Sequence, residues 1–386
     1  MLGIIERSGL PDTGAAASIA SCPEKPFFLQ ENYIRKYWKM AELPAEKLEY
    51  TLGFAAKIRK DLRYRQLTWH LYRYFTLTPM ANVEHIKLTD NIGTLGVESG
   101  MIYLLTALSL IPSFIARAER EGFPRRYGEA GAGRIGSTTV FYAQEYNGAF
   151  GLRGRSMMFL LHYIQTATWR IGRFDFVVQK AADNIPEIYR RGDEVIAFCA
   201  DGIMLNSQGD QVDSAEKSCR TARIKVENSK VTGIPIDFNC GLAAAPEMTI
   251  DLADGWEKIA GSGDWTLFFH IPGGGGMTPE LCEESFREAR EFFKEYMPER
   301  NFSIIWSASW IFNPAWREML PESNLAKLIR RGRLFPAVAG VNPGLYFVFG
   351  KTEGDPGQFN AVNSLEKAVL HCYREKSLRR VGWFII

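Results

Sequence analysis

The chain has 386 residues, of which 46% are hydrophobic and 23% are charged, and its formal net charge is +2. This length and composition predict a soluble globular protein with two or three domains of ordinary core size. The small net charge provides no basic surface of the kind that nucleic acids require, so we expect no nucleic-acid partner.

The cysteines and the N-terminal residues bear on the cellular compartment. The six cysteines show no CxxC or Cys/His spacing, which predicts free thiols, no metal site and a reducing compartment. Residues 1–25 do not form a secretory signal, and the apolar run 101–115 is too short for a bilayer and is interrupted by Pro112. We therefore expect a cytoplasmic protein without a membrane partner. The cysteines are Cys22, Cys199, Cys219, Cys240, Cys282 and Cys372.

The first part of the chain has helical periodicity. Residues 1–25 are small and polar and predict a loosely ordered tail. Apolar positions then recur at helical spacing with charged residues between them, and no convincing strand precedes Arg170. We predict an all-helical domain over residues 26–150, with helices in the segments 31–74, 101–120 and 135–146 and a further helix at 157–169.

Two glycine motifs lie within this helical part. Residues 131–136, Gly-Ala-Gly-Arg-Ile-Gly, match the GxGxxG pattern of dinucleotide-binding loops, and residues 125–130 match the [QR]xxGx[GA] pattern of acyl-coenzyme A binding. A strand should lead into either motif, and neither motif has one. We interpret both as a loop between helices.

After Arg170 short β-rich segments alternate with turn residues and a few helices. The pattern predicts a mixed α/β domain over residues 151–386. Predicted helices cover 278–296, 315–320 and 364–374. Predicted strands cover 173–178, 194–200, 223–226, 233–238, 265–271, 303–310, 345–349 and 383–386.

The most informative stretch of this domain is 264–296. An apolar aromatic run is followed by four consecutive glycines and then by an amphipathic helix. Thr278 suits an N-cap and Pro279 suits the first helical position. The unpaired N–H groups at a helix start attract anions, and glycines before it leave space for one, so the stretch predicts either a phosphate site or a tight turn without a ligand. It contains no Walker Gly-Lys-Ser/Thr.

The order of elements, together with WRIGRFDF, HIPGGGGMTPELCEESFREAREFF, SASWIFNP and LPESN, resembles acyltransferase-domain proteins that join an all-helical N-terminal domain to a GNAT-like C-terminal domain. The resemblance implies an α+β fold and an acyl donor, acetyl-coenzyme A or another acyl-coenzyme A. It also implies a pyrophosphate cradle, although the usual glutamine or arginine of the GNAT loop is absent. The cradle residues are Gly273, Gly274, Gly275, Gly276, Met277 and Thr278.

Direct acyl transfer needs a base for the attacking amine and an acid for the leaving thiolate. His270, at the end of the predicted strand, is the candidate base, and Tyr346 and Tyr373 are candidates for the acid. The alternative for His270 is a histidine that ties the loop by hydrogen bonds, and the alternative for the two tyrosines is packing with a satisfied hydroxyl. Cys282 near the helix start is either a nucleophile that forms a covalent acyl-enzyme or a small buried hydrophobic residue. The cluster Arg330, Arg331 and Arg333 would hold a coenzyme phosphate or an acidic substrate, or belong to a solvated loop.

We therefore expect an acyl-coenzyme A-dependent N-acyltransferase that acts on a small-molecule or peptide amine, with the helical domain shaping the acceptor side. The alternative is a GNAT-shaped module that binds coenzyme A or regulates without turnover. The sequence leaves the acceptor, the acyl chain and the oligomeric state open.

Overall fold

The computed structural model describes residues 9–10, 14–78, 86–165, 168–338, 343–351 and 353–386. The described residues form two compact units. The first unit includes the chain up to Ile171 and the short segment Ile271–Gly275, and the second includes Gly172–His270 and Gly276–Ile386. The predicted α+β class is confirmed, because a helical region precedes a region built on a mixed sheet.

The described part of the first unit is helical until the strand at Thr168–Ile171. Its core is one large apolar cluster to which nearly every helix contributes. Its described α-helices and its strand are α1 (Ala15–Ala20), α2 (Glu31–Trp38), α3 (Leu48–Lys60), α4 (Leu62–Leu77), α5 (Ser99–Arg120), α6 (Arg125–Glu145), α7 (Gly154–Gln165) and β1 (Thr168–Ile171).

Helix α5 is the central element of this unit. Together with the short turn before it, over Gly96–Arg120, it is long and apolar enough to cross a membrane by length and composition alone, but 83% of the most apolar window is buried inside the protein. The expectation that Pro112 interrupts this run is wrong, because the helix continues through it. A proline removes the donor for the carbonyl four residues earlier, and here the hydroxyl of Tyr33 donates to that carbonyl, Leu108 O, at 3.2 Å.

Both glycine motifs, residues 125–130 and residues 131–136, lie inside helix α6, so their interpretation as a loop between helices is wrong. The glycines of residues 131–136 are sites of close packing. A Cβ atom on Gly136 would lie 2.5 Å from Ala41 O, and one on Gly131 would lie 2.9 Å from the ring of Tyr163. The missing side chains allow neighbouring segments to approach the helix backbone.

Two predicted boundaries at the ends of this region also differ from the structure. The predicted tail contains α1, whose Ala15 and Ser18 are buried and which packs against α4, because an alanine-rich turn fits closely on a neighbouring helix. Residues 1–8 and 11–13 lie outside the described residues. Helix α7 belongs to the helical unit, which therefore extends beyond the predicted boundary at residue 150.

The second unit is organised on a mixed sheet with the strand order β2-β14-β15-β17-β16. Strand β14 is antiparallel to β2 and parallel to β15, and β17 is antiparallel to both β15 and β16. These strands are β2 (Phe174–Lys180), β14 (Trp265–His270), β15 (Ile305–Ser309), β16 (Arg333–Pro336) and β17 (Val381–Ile385).

Between β2 and β14 the chain forms smaller antiparallel sheets with the orders β13-β3-β4, β12-β9-β8, β6-β5-β7 and β10-β11. Their strands are β3 (Glu187–Arg191), β4 (Glu194–Phe198), β5 (Met204–Leu205), β6 (Gln211–Val212), β7 (Arg220–Thr221), β8 (Lys225–Glu227), β9 (Lys230–Gly233), β10 (Ile236–Asp237), β11 (Leu242–Ala243), β12 (Met248–Asp251) and β13 (Glu257–Ala260).

The helices of the second unit are α8 (Pro279–Tyr296), α9 (Trp316–Met319), α10 (Asn324–Arg331), α11 (Pro343–Phe349) and α12 (Ser364–Arg374). The prediction of a strand at 345–349 is wrong, because these residues belong to α11. Its first residue is Pro343, which suits a helix start, and its Gly344 lies close to the ring of Trp310. Aromatic and β-branched residues suggested a strand, but packing selects a helix.

Helix α8 packs on one face of the main sheet through aromatic contacts. The ring centroid of its Phe286 lies 5.1 Å from that of Phe174 and 5.3 Å from that of Phe269. Because side chains alternate along a strand, His270 on β14 lies on the opposite face, beside Phe268 at 4.7 Å between ring centroids. The sheet therefore separates the aromatic core under α8 from the face that carries His270.

Candidate functional site

The predicted strand, glycine loop and helix are present between Trp265 and Tyr296. We call residues 271–278 the glycine loop. Within it Gly274 has φ +72° and Gly275 has φ +67°, a backbone conformation that side-chain-bearing residues rarely adopt. Both residues are exposed, and no atom lies within 4 Å of the position a Cβ would take on Gly274. The tip of the loop is therefore open to a ligand.

The start of the loop is closely packed. A Cβ atom on Gly273 would lie 3.0 Å from Ser137 O and 3.2 Å from the ring of Phe141, both on helix α6. The neighbouring Pro272 is buried. A fixed start and an open tip are suited to holding main-chain N–H groups in place before a ligand arrives.

The end of the loop is the N-terminus of helix α8. The hydroxyl of Thr278 accepts a hydrogen bond from Leu281 N at 3.4 Å, and Pro279 is the first helical residue, as predicted. The pKa of the exposed carboxyl of Glu280 is lowered. The larger cause is a hydrogen bond from a main-chain N–H, and the smaller cause is a hydrogen bond with the Thr278 side chain. This direction agrees with an environment at the helix start that favours negative charge.

Arg173 brings a positive charge to the loop. It stands in the turn before β2, and its Nε donates to Gly276 O at 2.8 Å. Next to it, Gly172 packs closely on Ser285 of α8. The sequence of the loop itself lacks a basic residue, and Arg173 supplies one from a distant position. Sequence reasoning missed this role of Arg173, because Arg173 and Gly276 are more than one hundred positions apart along the chain.

His270 is the last residue of β14, as predicted, and is half-buried. Asp175 on β2 is its direct partner in the antiparallel register. Directly opposed residues lie on the same face with their Cβ atoms about 5 Å apart, and Asp175 has no exposed surface. The sequence carried a signal for this carboxylate, since an aspartate inside an apolar strand needs a polar partner.

The two tyrosines are brought into one region of the second unit. Tyr346 lies on α11 and Tyr373 on α12, and these helices contact each other. The hydroxyl of Tyr373 donates to Gly354 O at 3.0 Å, and its ring lies 6.2 Å from that of Phe359. The ring of Tyr346 contacts Phe347 at 5.4 Å between centroids. His270 belongs to a different element, strand β14.

Cys282 is fully buried on the inner face of α8. Burial raises the pKa of its thiol to about 11, although Arg173 and Arg331 act in the opposite direction. A nucleophilic cysteine needs a large thiolate fraction near neutral pH. The geometry therefore favours a small packing side chain over an acyl-enzyme nucleophile.

The predicted arginine cluster is divided among different contacts. Arg330 donates to Pro321 O at 2.8 Å and to Arg317 O at 3.3 Å, and so stabilises a turn. Arg331 forms an ion pair with Glu283 of α8. Arg333 begins strand β16 and is half-buried.

Comparisons with known proteins agree with this architecture. Residues 168–382 match the family model described as the GNAT-like C-terminal domain. A crystal structure of an acyltransferase in complex with decanoyl-CoA and teicoplanin is similar over 100% of this chain and 98% of that chain, with a TM-score of 0.62 and 17% sequence identity. Another, in complex with CoA and 10C-teicoplanin, has a TM-score of 0.61, 16% identity and the same coverage.

A third similar structure, an acyltransferase in complex with decanoyl-CoA, has a TM-score of 0.60 and 15% identity, and it covers 100% of this chain and 98% of that chain. At these identities the likeness shows a shared fold over the whole chain. No curated protein matches the sequence.

Proposed function

The chain belongs to the family of proteins with a GNAT-like C-terminal domain, and we propose that it is an acyl-coenzyme A-dependent acyltransferase with an amine acceptor. The observation that carries the proposal is the exposed glycine loop, with two positive-φ glycines, placed directly before the N-terminus of α8. The similar acyltransferases crystallised with CoA or decanoyl-CoA support it. Teicoplanin, a glycopeptide present with two of them, is consistent with a small-molecule or peptide acceptor.

In this proposal the glycine loop holds the pyrophosphate of the acyl donor. Gly273–Gly276, Met277 and Thr278 contribute main-chain N–H groups and the positive end of the dipole of α8. The open space above Gly274 fits a ligand that approaches the backbone closely. Arg173, which is held against Gly276 O, adds a cation beside the loop.

His270 is the proposed base. In the reaction the amine nitrogen bonds to the thioester carbonyl carbon, the carbon–sulfur bond breaks, and His270 takes the proton that the amine loses. Asp175, its buried cross-strand partner, is placed to orient the imidazole. The position of His270 at the end of β14, directly before the loop, puts a base beside the proposed donor site.

Tyr346 and Tyr373 are the proposed sources of the proton that returns to the departing thiolate. Of the two, Tyr373 already donates its hydroxyl proton to Gly354 O. This bond would have to open before Tyr373 could act as an acid, and it favours the second candidate function, a module that binds coenzyme A without turnover.

One experiment separates the two functions. The protein is incubated with acetyl-CoA or decanoyl-CoA and a panel of amines, and release of free coenzyme A thiol is followed with a thiol reagent. The acyltransferase proposal expects thiol release that depends on the amine and falls by about 10²-fold or more in His270→Gln. Binding of acyl-CoA by calorimetry without thiol release for any amine would instead support the silent module, and absence of binding would contradict both.

The proposed location is the cytoplasm. All six cysteines are free, as is usual for proteins that remain in a reducing compartment. Mass spectrometry of the protein alkylated in intact cells would contradict this location if it found the cysteines paired in disulfides.

A further inference from the structure

A cleft in the second unit has a lining rich in arginine. Its volume is about 360 Å³, and it is lined by three arginines from separate elements, Arg190 on β3, Arg331 at the end of α10 and Arg333 at the start of β16. The buried rings of Phe286 and Trp383 form part of its wall. We call it the arginine cleft. It combines an apolar wall with several guanidinium groups.

The arginine cleft has three arginines and two acidic side chains in its lining. Arg331 is paired with Glu283, which also lines the cleft. Among the residues that the structure describes, neither Arg190 nor Arg333 forms an ion pair or a side-chain hydrogen bond, although Asp193 lies in the same lining. Glu257 stands opposite Arg190 in the strand pair and makes no ion pair with it. Two guanidinium groups are thus available to a ligand.

Of the two arginines without an anionic partner, Arg333 is half-buried. Burial lowers the pKa of its guanidinium, which means that the folded protein solvates this charge less well than water does. Its charged group lies 5.8 Å from the ring of Phe238, a contact that recovers little of this loss. A partly buried charge without an anionic partner costs free energy, and a bound anion would offset that cost.

We propose that the arginine cleft is an anion-binding site, in which Arg190 and Arg333 hold a carboxylate or a phosphate group. Guanidinium groups bind both anions through paired N–H donors, and Arg331 is kept in place by its bond to Glu283. The apolar wall suits a ligand whose anionic group is attached to an apolar body. None of residues 271–278 of the glycine loop lines the cleft.

The anion has two possible sources, which share this chemistry. It is either a phosphate of the acyl donor outside its pyrophosphate, such as the 3′-phosphate of coenzyme A, or a carboxylate or phosphate of the acceptor. Both require the same two arginines. Anion binding can be measured without turnover, so the proposal can fail or succeed separately from the proposed acyltransferase activity.

The test is calorimetric titration of the full chain with inorganic pyrophosphate, which we expect to bind at two sites, the glycine loop and the arginine cleft. Arg333→Gln and Arg190→Gln are each expected to weaken the binding at one of these sites by about tenfold and to leave the other unchanged. Arg287→Gln is the matched control, because Arg287 is an exposed arginine paired with Glu291 on α8 outside the cleft, and it is expected to bind as the wild type does. Arg190 is exposed, so its replacement keeps the test valid even if Arg333→Gln folds poorly.

A second pair of titrations identifies the source. If the wild type prefers coenzyme A over 3′-dephospho-coenzyme A and the arginine variants lose that preference, the cleft holds the 3′-phosphate. If the arginine variants lose one pyrophosphate site but bind coenzyme A as the wild type does, the anion belongs to the acceptor. The proposal is overturned if the wild type does not bind pyrophosphate, or if both arginine variants bind it as the wild type does at every site. A single pyrophosphate site that Gly274→Ala abolishes and both arginine variants keep would assign the anion to the glycine loop and would also overturn the proposal.

Discussion

Two glycine-rich stretches of this protein have opposite structural roles. Gly131–Gly136 match a nucleotide-binding pattern, yet they lie inside helix α6 with neighbouring atoms where their Cβ atoms would be. Gly273–Gly276 match no such pattern, yet they form an exposed loop after a strand and before a helix. The elements around a glycine motif, more than its spacing, decide whether its glycines serve packing or binding.

The strongest test of this contrast is Gly136→Ala in helix α6. A methyl group there would lie 2.5 Å from Ala41 O, so we expect the free energy of unfolding to fall by about 3 kcal/mol. The control is Gly53→Ala in helix α3, where no atom lies within 4 Å of the added carbon. That variant should gain up to about 1 kcal/mol from helix propensity. Denaturant unfolding measures both, and equal effects would contradict the packing role.

A substitution in the glycine loop should change the affinity for acyl-CoA more than it changes the free energy of unfolding. Gly274→Ala places an alanine at φ +72° without a clash, so we expect the free energy of unfolding to fall by about 1 kcal/mol. Acyl-CoA binding should weaken by roughly tenfold or more, because the loop backbone would shift away from the ligand. Gly255→Ala has the same kind of strain, at φ +87° in open space in another turn. It should lose similar stability and keep acyl-CoA affinity in calorimetry. Equal affinities for the two variants would count against the loop as the site.

Arg173 tests whether the loop depends on a side chain as well as on its backbone. Removing its bond to Gly276 O in Arg173→Gln should weaken acyl-CoA binding by roughly fivefold, since an exposed charged contact contributes about 1 kcal/mol. Arg287→Gln on the exposed side of α8 is the control and should not change affinity. Salt titrations provide a second measure, because the difference between wild type and Arg173→Gln should shrink at high ionic strength.

Cys282 should show the smallest effect on activity. Cys282→Ala should leave thiol release from acyl-CoA within about twofold of wild type and cost about 1 kcal/mol of stability. Abolished turnover in a folded Cys282→Ala protein would restore the covalent mechanism.

The raised pKa of Cys282 also gives this residue a pH signature. The folded pKa, about 11, lies above that of an unfolded cysteine, so the stabilising effect is complete below the unfolded pKa and is lost as the pH rises through the folded one. The difference in unfolding free energy between wild type and Cys282→Ala should therefore decrease between about pH 8.5 and 11. A difference that stays constant over this range would contradict the buried, protonated thiol.

Local signals made the strand, loop and helix of residues 264–296 predictable. The N-cap Thr278, Pro279 and the aromatic run before them agree with one another, and the structure keeps all three. The wrong predictions have tertiary causes. Gly131–Gly136 became helical because other segments pack on α6, and Leu345 belongs to a helix because that segment packs near Trp310. Sequence alone has no access to such contacts.

In the candidate site, too, residues adjacent in sequence were predicted and residues brought together by tertiary contacts were not. His270 and the loop residues were predicted because they are adjacent in sequence. Asp175 and Arg173 were missed because a strand register and a turn bring them there from about one hundred residues away. The roles of His270, Tyr346 and Tyr373 in catalysis stay predictions.

The assignment of the glycine loop as the pyrophosphate site is tested most directly by a crystal structure of the protein with bound coenzyme A. We predict pyrophosphate density against the main-chain N–H groups of Gly273–Gly276, Met277 and Thr278, at the N-terminus of α8. Coenzyme A bound with its pyrophosphate elsewhere on the protein would contradict the assignment of the glycine loop.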